Sequence, residues 1–92
     1  MEKPKIIKTP DGSLTGAGCY LLCKYWAAED EFEGRTKDAR YWRDQAHIFK
    51  KSFELGLASW VAHPQINARL ERENWKLIPW EERLQYLPRG QF

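Results

Sequence analysis

Thr36–His63, TKDARYWRDQAHIFKKSFELGLASWVAH, reads as one long amphipathic helix, and it decides the fold expected of the chain. Take Trp42 as the reference direction and turn about 100° per residue. Ala46, Phe49, Phe53, Leu57 and Trp60 then fall within roughly one third of the circumference. Tyr41, Ile48 and Leu55 make a second, weaker apolar line beside them. The remaining arc carries Arg40, Arg43, His47, Lys50 and Lys51. At a rise of about 1.5 Å per residue such a helix spans about 40 Å, more than a small domain needs to cross its own core. Thr36 is placed to cap it, with Asp38 in the first turn, where a carboxylate is favoured. Gly56 permits a bend, and His63-Pro64 ends the helix because the residue before proline avoids the α region.

Upstream, a first helix is expected from Leu14 or Gly16 to Glu33. Cys19, Leu22, Cys23 and Trp26 form one apolar line, and Leu21, Tyr25, Ala28 and Phe32 form another, so the helix is expected to be buried on two sides. Gly34 suits the left-handed position that ends it. Glu29, Asp30, Glu31 and Glu33 gather at its C-terminal end, where the macrodipole disfavours them, and Arg35 and Lys37 just beyond are expected to neutralise them. Residues 1–13 read as an extended or irregular arm. Pro10-Asp11-Gly12 is a strong turn signal. The arm leads either into Ser13 or Thr15 as a helix cap or into a small hairpin; the cap is preferred, because a lone two-stranded hairpin is marginal.

Downstream, a third helix is expected from Pro64 or Gln65 to about Leu77, with Ile66, Leu70 and Leu77 inward and Arg69, Glu71, Arg72 and Glu73 outward. A short fourth helix, Pro79–Leu87, places Trp80, Leu84 and Leu87 against the core. The expected fold is therefore all-α, a three- to four-helix arrangement around one long central helix, with residues 1–92 forming one domain.

A 92-residue chain has room for one core and hides only about 60–65% of its unfolded surface. Its 5 Trp, 4 Tyr and 4 Phe exceed what a minimal core requires, which leaves rings for a binding surface. The net charge of +2 and pI of 8.6 are too mild for a protein that coats DNA indiscriminately. The opening MEKPKIIKTPDG has no apolar core segment, and nothing approaches the ~18 apolar residues of a membrane span. Cys19 and Cys23 are then expected to be reduced thiols of a cytoplasmic protein.

Catalytic and metal chemistry find little support. Cys19 and Cys23 lie one turn apart, but His47 and His63 are about 24 Å apart along one helix and cannot share an ion with them. Ser59 and His63 are spaced i, i+4 without a nucleophile turn or an oxyanion site. There is no phosphate loop, dinucleotide fingerprint or metal-binding histidine motif. The expectation is a protein that is no enzyme, with no cofactor and no small-molecule substrate.

The basic strip Arg40, Arg43, His47, Lys50 and Lys51 is the most substantial feature. Arg69 and Arg72, with Asn67, are the residues of the third helix suited to reading DNA. Trp75, Trp80, Arg83, Tyr86 and Arg89 supply aromatic and arginine anchors. In style the chain resembles small phage-encoded accessory proteins, short and dense in aromatic and charged residues. That resemblance implies an inhibitor or anti-defence protein in the host cytoplasm. It would dock on a larger protein or ribonucleoprotein complex, such as a CRISPR surveillance complex or a recombination nuclease, with direct contact to nucleic-acid backbone within reach. The alternatives are a DNA-binding transcriptional or recombination regulator, and a structural protein that assembles through Tyr41, Ile48 and Leu55.

Overall fold

A computed structural model describes residues 3–55 and 60–85 of the chain. Its elements run β1 (Ile7–Lys8), β2 (Leu14–Thr15), α1 (Gly16–Phe32), α2 (Thr36–Leu55), β3 (Trp60–Val61), α3 (Pro64–Arg72), β4 (Ile78–Pro79) and a 3-10 helix, Trp80–Gln85.

The all-α expectation is overturned by a four-stranded mixed sheet of order β3-β2-β1-β4. The Pro10-Asp11-Gly12 turn does return the chain as a hairpin. Gly12 takes the left-handed φ of 88°, its N–H bonds to the Thr9 carbonyl at 3.0 Å, and the Thr9 N–H reaches the Ser13 carbonyl at 3.1 Å. The Asp11 carboxylate accepts from the Thr9 hydroxyl and the Ser13 N–H. This hairpin is not alone. Val61 of β3 pairs antiparallel with Leu14, and Ile78 of β4 pairs parallel with Ile7, so distant segments complete the sheet on both sides. Ile6 and Leu14 join the core cluster with α1, and Ile7 is buried as well. Thr15 then serves twice, as the last residue of β2 and as the cap of α1, its hydroxyl accepting from the Gly18 N–H at 2.9 Å.

In α1 the line Cys19, Leu22, Cys23 and Trp26 is buried as its spacing predicts, and Ala27 and Asp30 are buried with it. The second line is not: Leu21 is 36% exposed and Phe32 90% exposed, so α1 is covered on one side rather than sandwiched. The helix ends where Gly34 takes φ 83°. The Gly34 N–H bonds to the Glu31 carbonyl and the Arg35 N–H to the Asp30 carbonyl, the paired bonds of a Schellman motif.

Among the described residues the central helix runs Thr36–Leu55, and Trp60–Val61 is a strand, so one helix does not continue to His63. Ala39, Trp42, Ala46 and Phe49 are its buried residues, whereas Phe53, covered by Tyr20 of α1, is 44% exposed. Trp60 and Val61, aromatic and β-branched, join the sheet instead of the helix. Leu57 lies outside the described residues. Thr36, expected as a cap, is the first residue of α2, and the Arg35 carbonyl accepts from Ala39 N–H.

His63 caps α3, and Pro64 occupies its first turn. The helix ends at Arg72, earlier than its apolar seam suggests. Asn74 takes a left-handed φ of 54°, and the Trp75 N–H bonds back to the Leu70 carbonyl at 3.0 Å. Pro79 sits in β4, and the expected fourth helix is the 3-10 helix that follows. The core is one cluster in which Trp26, Trp42, Phe49, Leu22, Ile66 and Leu70 join α1, α2 and α3.

Candidate docking surface

The interior claims several residues expected on the surface. Arg69 does not face outward: its side chain is only 6% exposed and forks onto Asp30, which is fully buried. Its Nε donates to Glu73 at 2.8 Å, and its guanidinium lies 4.9 Å from the Trp26 ring and 5.6 Å from the Trp42 ring. Trp75 donates its indole N–H to the same Glu73 carboxylate at 2.8 Å and packs edge-on against Tyr25 and Trp26. Arg35 also reaches Asp30, at 2.8 Å. Of the two residues expected to neutralise the acidic cluster, Arg35 does so at Asp30, while Lys37 makes no ion pair among the described residues; Arg69 pairs with Glu29 and Asp30, and Arg43 with Glu31. Hydrogen bonds from Arg69 hold the Asp30 carboxyl below its ordinary pKa against the cost of burial.

The remaining candidates divide. Trp80 is half-buried and meets Trp60 edge-on, with ring centres 4.9 Å apart. Arg72 is exposed on α3. Arg83 falls in the 3-10 helix, and Tyr86 and Arg89 lie outside the described residues. Two of the three side chains suited to reading DNA from α3 are engaged internally, and Arg72 stays exposed. Asn67 donates to the Gly12 carbonyl at 2.9 Å, and Arg69 is in the ion pair. A strand, not a helix, ends just before His63, so no helix pair meets there.

Neither thiol is available. Cys19 and Cys23 are buried, and burial pushes each pKa up to about 12, far from the thiolate a nucleophile or metal ligand needs. His63 is likewise occupied. Its Nδ1 accepts from the Ile66 N–H, and its Nε2 meets the Gln45 amide oxygen at 3.2 Å. No group of three His, Cys, Asp or Glu side chains could hold a metal ion among the described residues.

The basic strip keeps its place. Arg40, Arg43, His47, Lys50 and Lys51 are all exposed on α2. Arg43 pairs with Glu31 at 2.8 Å and Lys50 with Glu54 at 3.7 Å, both between well-exposed side chains. Arg40 and Lys51 make no ion pair among the described residues. Tyr41, Ile48 and Leu55 are 39%, 67% and 58% exposed and lie beside Arg40 and Lys51 on the outward side of α2, whereas Arg43, His47 and Lys50 border α1.

The sequence reading missed a contribution from α1. Tyr20 and Lys24 face α2, and with Arg43, Ala46, His47 and Lys50 they line a groove of about 140 Å³ between the two helices. Tyr20 stacks on Phe53, ring centres 4.6 Å apart. Their spacing of four residues put Tyr20 and Lys24 on one helix face. Nothing local showed that this face borders the basic strip. No helix among the described residues is long and apolar enough to cross a membrane. No family model matches this sequence, and comparisons with curated proteins and with solved structures find no match.

Proposed function

We propose that this chain is a non-catalytic docking protein, of the accessory or anti-defence kind that phages encode, and that it occupies a surface of a host nucleic-acid-processing complex. A CRISPR surveillance complex or a recombination nuclease is the kind of target proposed. The observation that carries the reading is the outer face of α2. Ile48 and Leu55 stay 67% and 58% exposed on the side of α2 turned away from the buried Trp42 and Phe49, and the cations Arg40 and Lys51 border them on the helix surface. Apolar side chains left in water beside an ordered row of charge suit an interface, in which the charges steer and the apolar contacts hold.

Affinity capture from host lysate, with and without nuclease, tests this. The expected outcome is stoichiometric recovery of one nucleic-acid-processing complex that survives nuclease and is lost on combined charge reversal of Arg40, Arg43 and Lys51. The circular dichroism of that variant should match the parent, because all three side chains are exposed. Recovery that is indifferent to the reversal would refute the reading. The same exposed line of Tyr41, Ile48 and Leu55 also supports self-assembly as the second reading. Sedimentation of the purified protein separates the two, since a docking protein without its target stays monomeric.

A further inference from the structure

The groove between α1 and α2 has cations on both walls and an exposed ring at one end. We propose that it seats the backbone of a single-stranded nucleic acid held by the complex, an inference that rests on the docking reading and specifies its ligand. Lys24 comes from α1, and Arg43 and Lys50 come from α2 with His47 beside them, so the charge converges from two helices rather than lying along one. Glu31 and Glu54 hold Arg43 and Lys50 while the groove is open, but through pairs in which every side chain is more than half exposed. Such exposed pairs contribute little and yield to a stronger anion. A polyanionic strand is that anion, because each phosphate it places on a cation releases condensed counterions, which a protein carboxylate does not.

The aromatic pair favours the same ligand. Phe53 rests one face on Tyr20 and remains 44% exposed. It follows Lys50 by three residues and so shares its side of α2. A strand whose phosphates lie along Lys24, Arg43 and Lys50 brings a base against that free ring, the pairing of cationic track and stacking platform that sequence-tolerant strand binders use.

The test is fluorescence anisotropy with a labelled oligothymidylate strand, titrated across salt concentrations with the intact protein. Binding is expected at low salt, with log K falling by about 0.7 per decade of salt for each phosphate held. Lys24→Gln and Lys50→Gln should each weaken binding and reduce that slope by about 0.7. Phe53→Ala should weaken binding with the slope unchanged, since stacking carries no charge. Lys76→Gln, which removes the same charge at an exposed position beyond α3, should change neither. No binding at low salt, or a Lys24→Gln variant with the parent's slope, overturns the proposal. If the strand is not bound while nuclease-resistant capture persists, the groove inference fails and docking stands. If the strand is bound through Lys24 and no complex is recovered, docking fails instead.

Discussion

Arg69 reaches Asp30 through two hydrogen bonds, Nη1 to Oδ2 at 2.9 Å and Nη2 to Oδ1 at 2.8 Å, in a setting where Asp30 is fully buried and Arg69 is 6% exposed. This contact joins α3 to α1 across residues far apart in sequence. It also places a planar cation near two tryptophan rings, where its desolvation is partly offset. Removing one partner leaves the other charge buried and uncompensated. Asp30→Asn and Arg69→Met are each expected to destabilise the fold by about 3–5 kcal/mol, measured by urea unfolding. Arg69→Lys keeps the charge but loses the fork, and should fall between these variants and the parent.

The same network makes the fold sensitive to acid. Asp30 is held below its ordinary pKa by its bonds from Arg69 and Arg35. Burial works to raise the Glu73 pKa, but bonds from Trp75, Arg69 and Trp26 outweigh it and leave the pKa lowered. A carboxylate with a depressed folded pKa stabilises above its unfolded value and loses that contribution as pH falls through the folded value. The melting temperature should therefore decline once pH drops below the ordinary values of 3.8 and 4.5 for these two groups. Glu73→Gln should make that decline shallower. An unchanged acid profile would show that Glu73 does not contribute.

His63 adds a second, milder titration. Its Nδ1 accepts from the Ile66 N–H, so the proton of the neutral ring sits on Nε2, facing the Gln45 amide oxygen. Protonation of Nδ1 would remove the acceptor that caps α3. Burial already lowers the pKa from 6.5. The unfolded chain thus takes up a proton first, and the cap's contribution, complete above that value, declines as pH falls toward the folded pKa. His63→Asn retains a capping side chain without a titrating group. In denaturant titrations between neutral pH and pH 5 it should show a flatter stability profile than the parent.

How much of this was legible follows from how local each feature is. Cys19, Leu22, Cys23 and Trp26 lie at helical spacing and are buried, Gly34 ends α1, and Pro64 opens α3, because neighbours in sequence determine those outcomes. The sheet was not legible in the same way. Its strands are two residues long, and the pairing of Ile7 with Ile78 depends on everything folded between them. Arg69 lay between these cases. On the wheel of α3, Glu73 falls about 20° and Arg69 about 60° from Ile66, so both belong to the apolar side. Asp30 likewise continues the line of Cys23 and Trp26 by one more turn. Charged residues at core spacing on two helices were the available signal of a buried ion pair. For the candidate surface, the strip on α2 was visible, but Lys24 and Tyr20 needed the packing of α1 against α2 to join it.

Gly18 gives the most local of the expected outcomes. In the sequence it looks like a fault, a glycine in the first turn of a helix, where alanine is better by about 1 kcal/mol on propensity alone. Its surroundings reverse that preference. A Cβ at this position would lie 2.9 Å from the Thr15 hydroxyl oxygen and 3.7 Å from Ile6. That hydroxyl is the cap of α1, and Thr15 is held in β2 opposite Trp60, so it cannot retreat without giving up the bond to the Gly18 N–H. Gly18→Ala is therefore expected to lose the cap, worth about 0.5–2 kcal/mol, and to destabilise despite its helix propensity. Thr15→Val, which keeps the shape and removes the acceptor, should cost a similar amount. In the double variant the two losses should not add, because one hydrogen bond underlies both. Urea unfolding of the three variants would decide this, and a stabilised Gly18→Ala would show that Thr15 and Ile6 move aside to admit the methyl group.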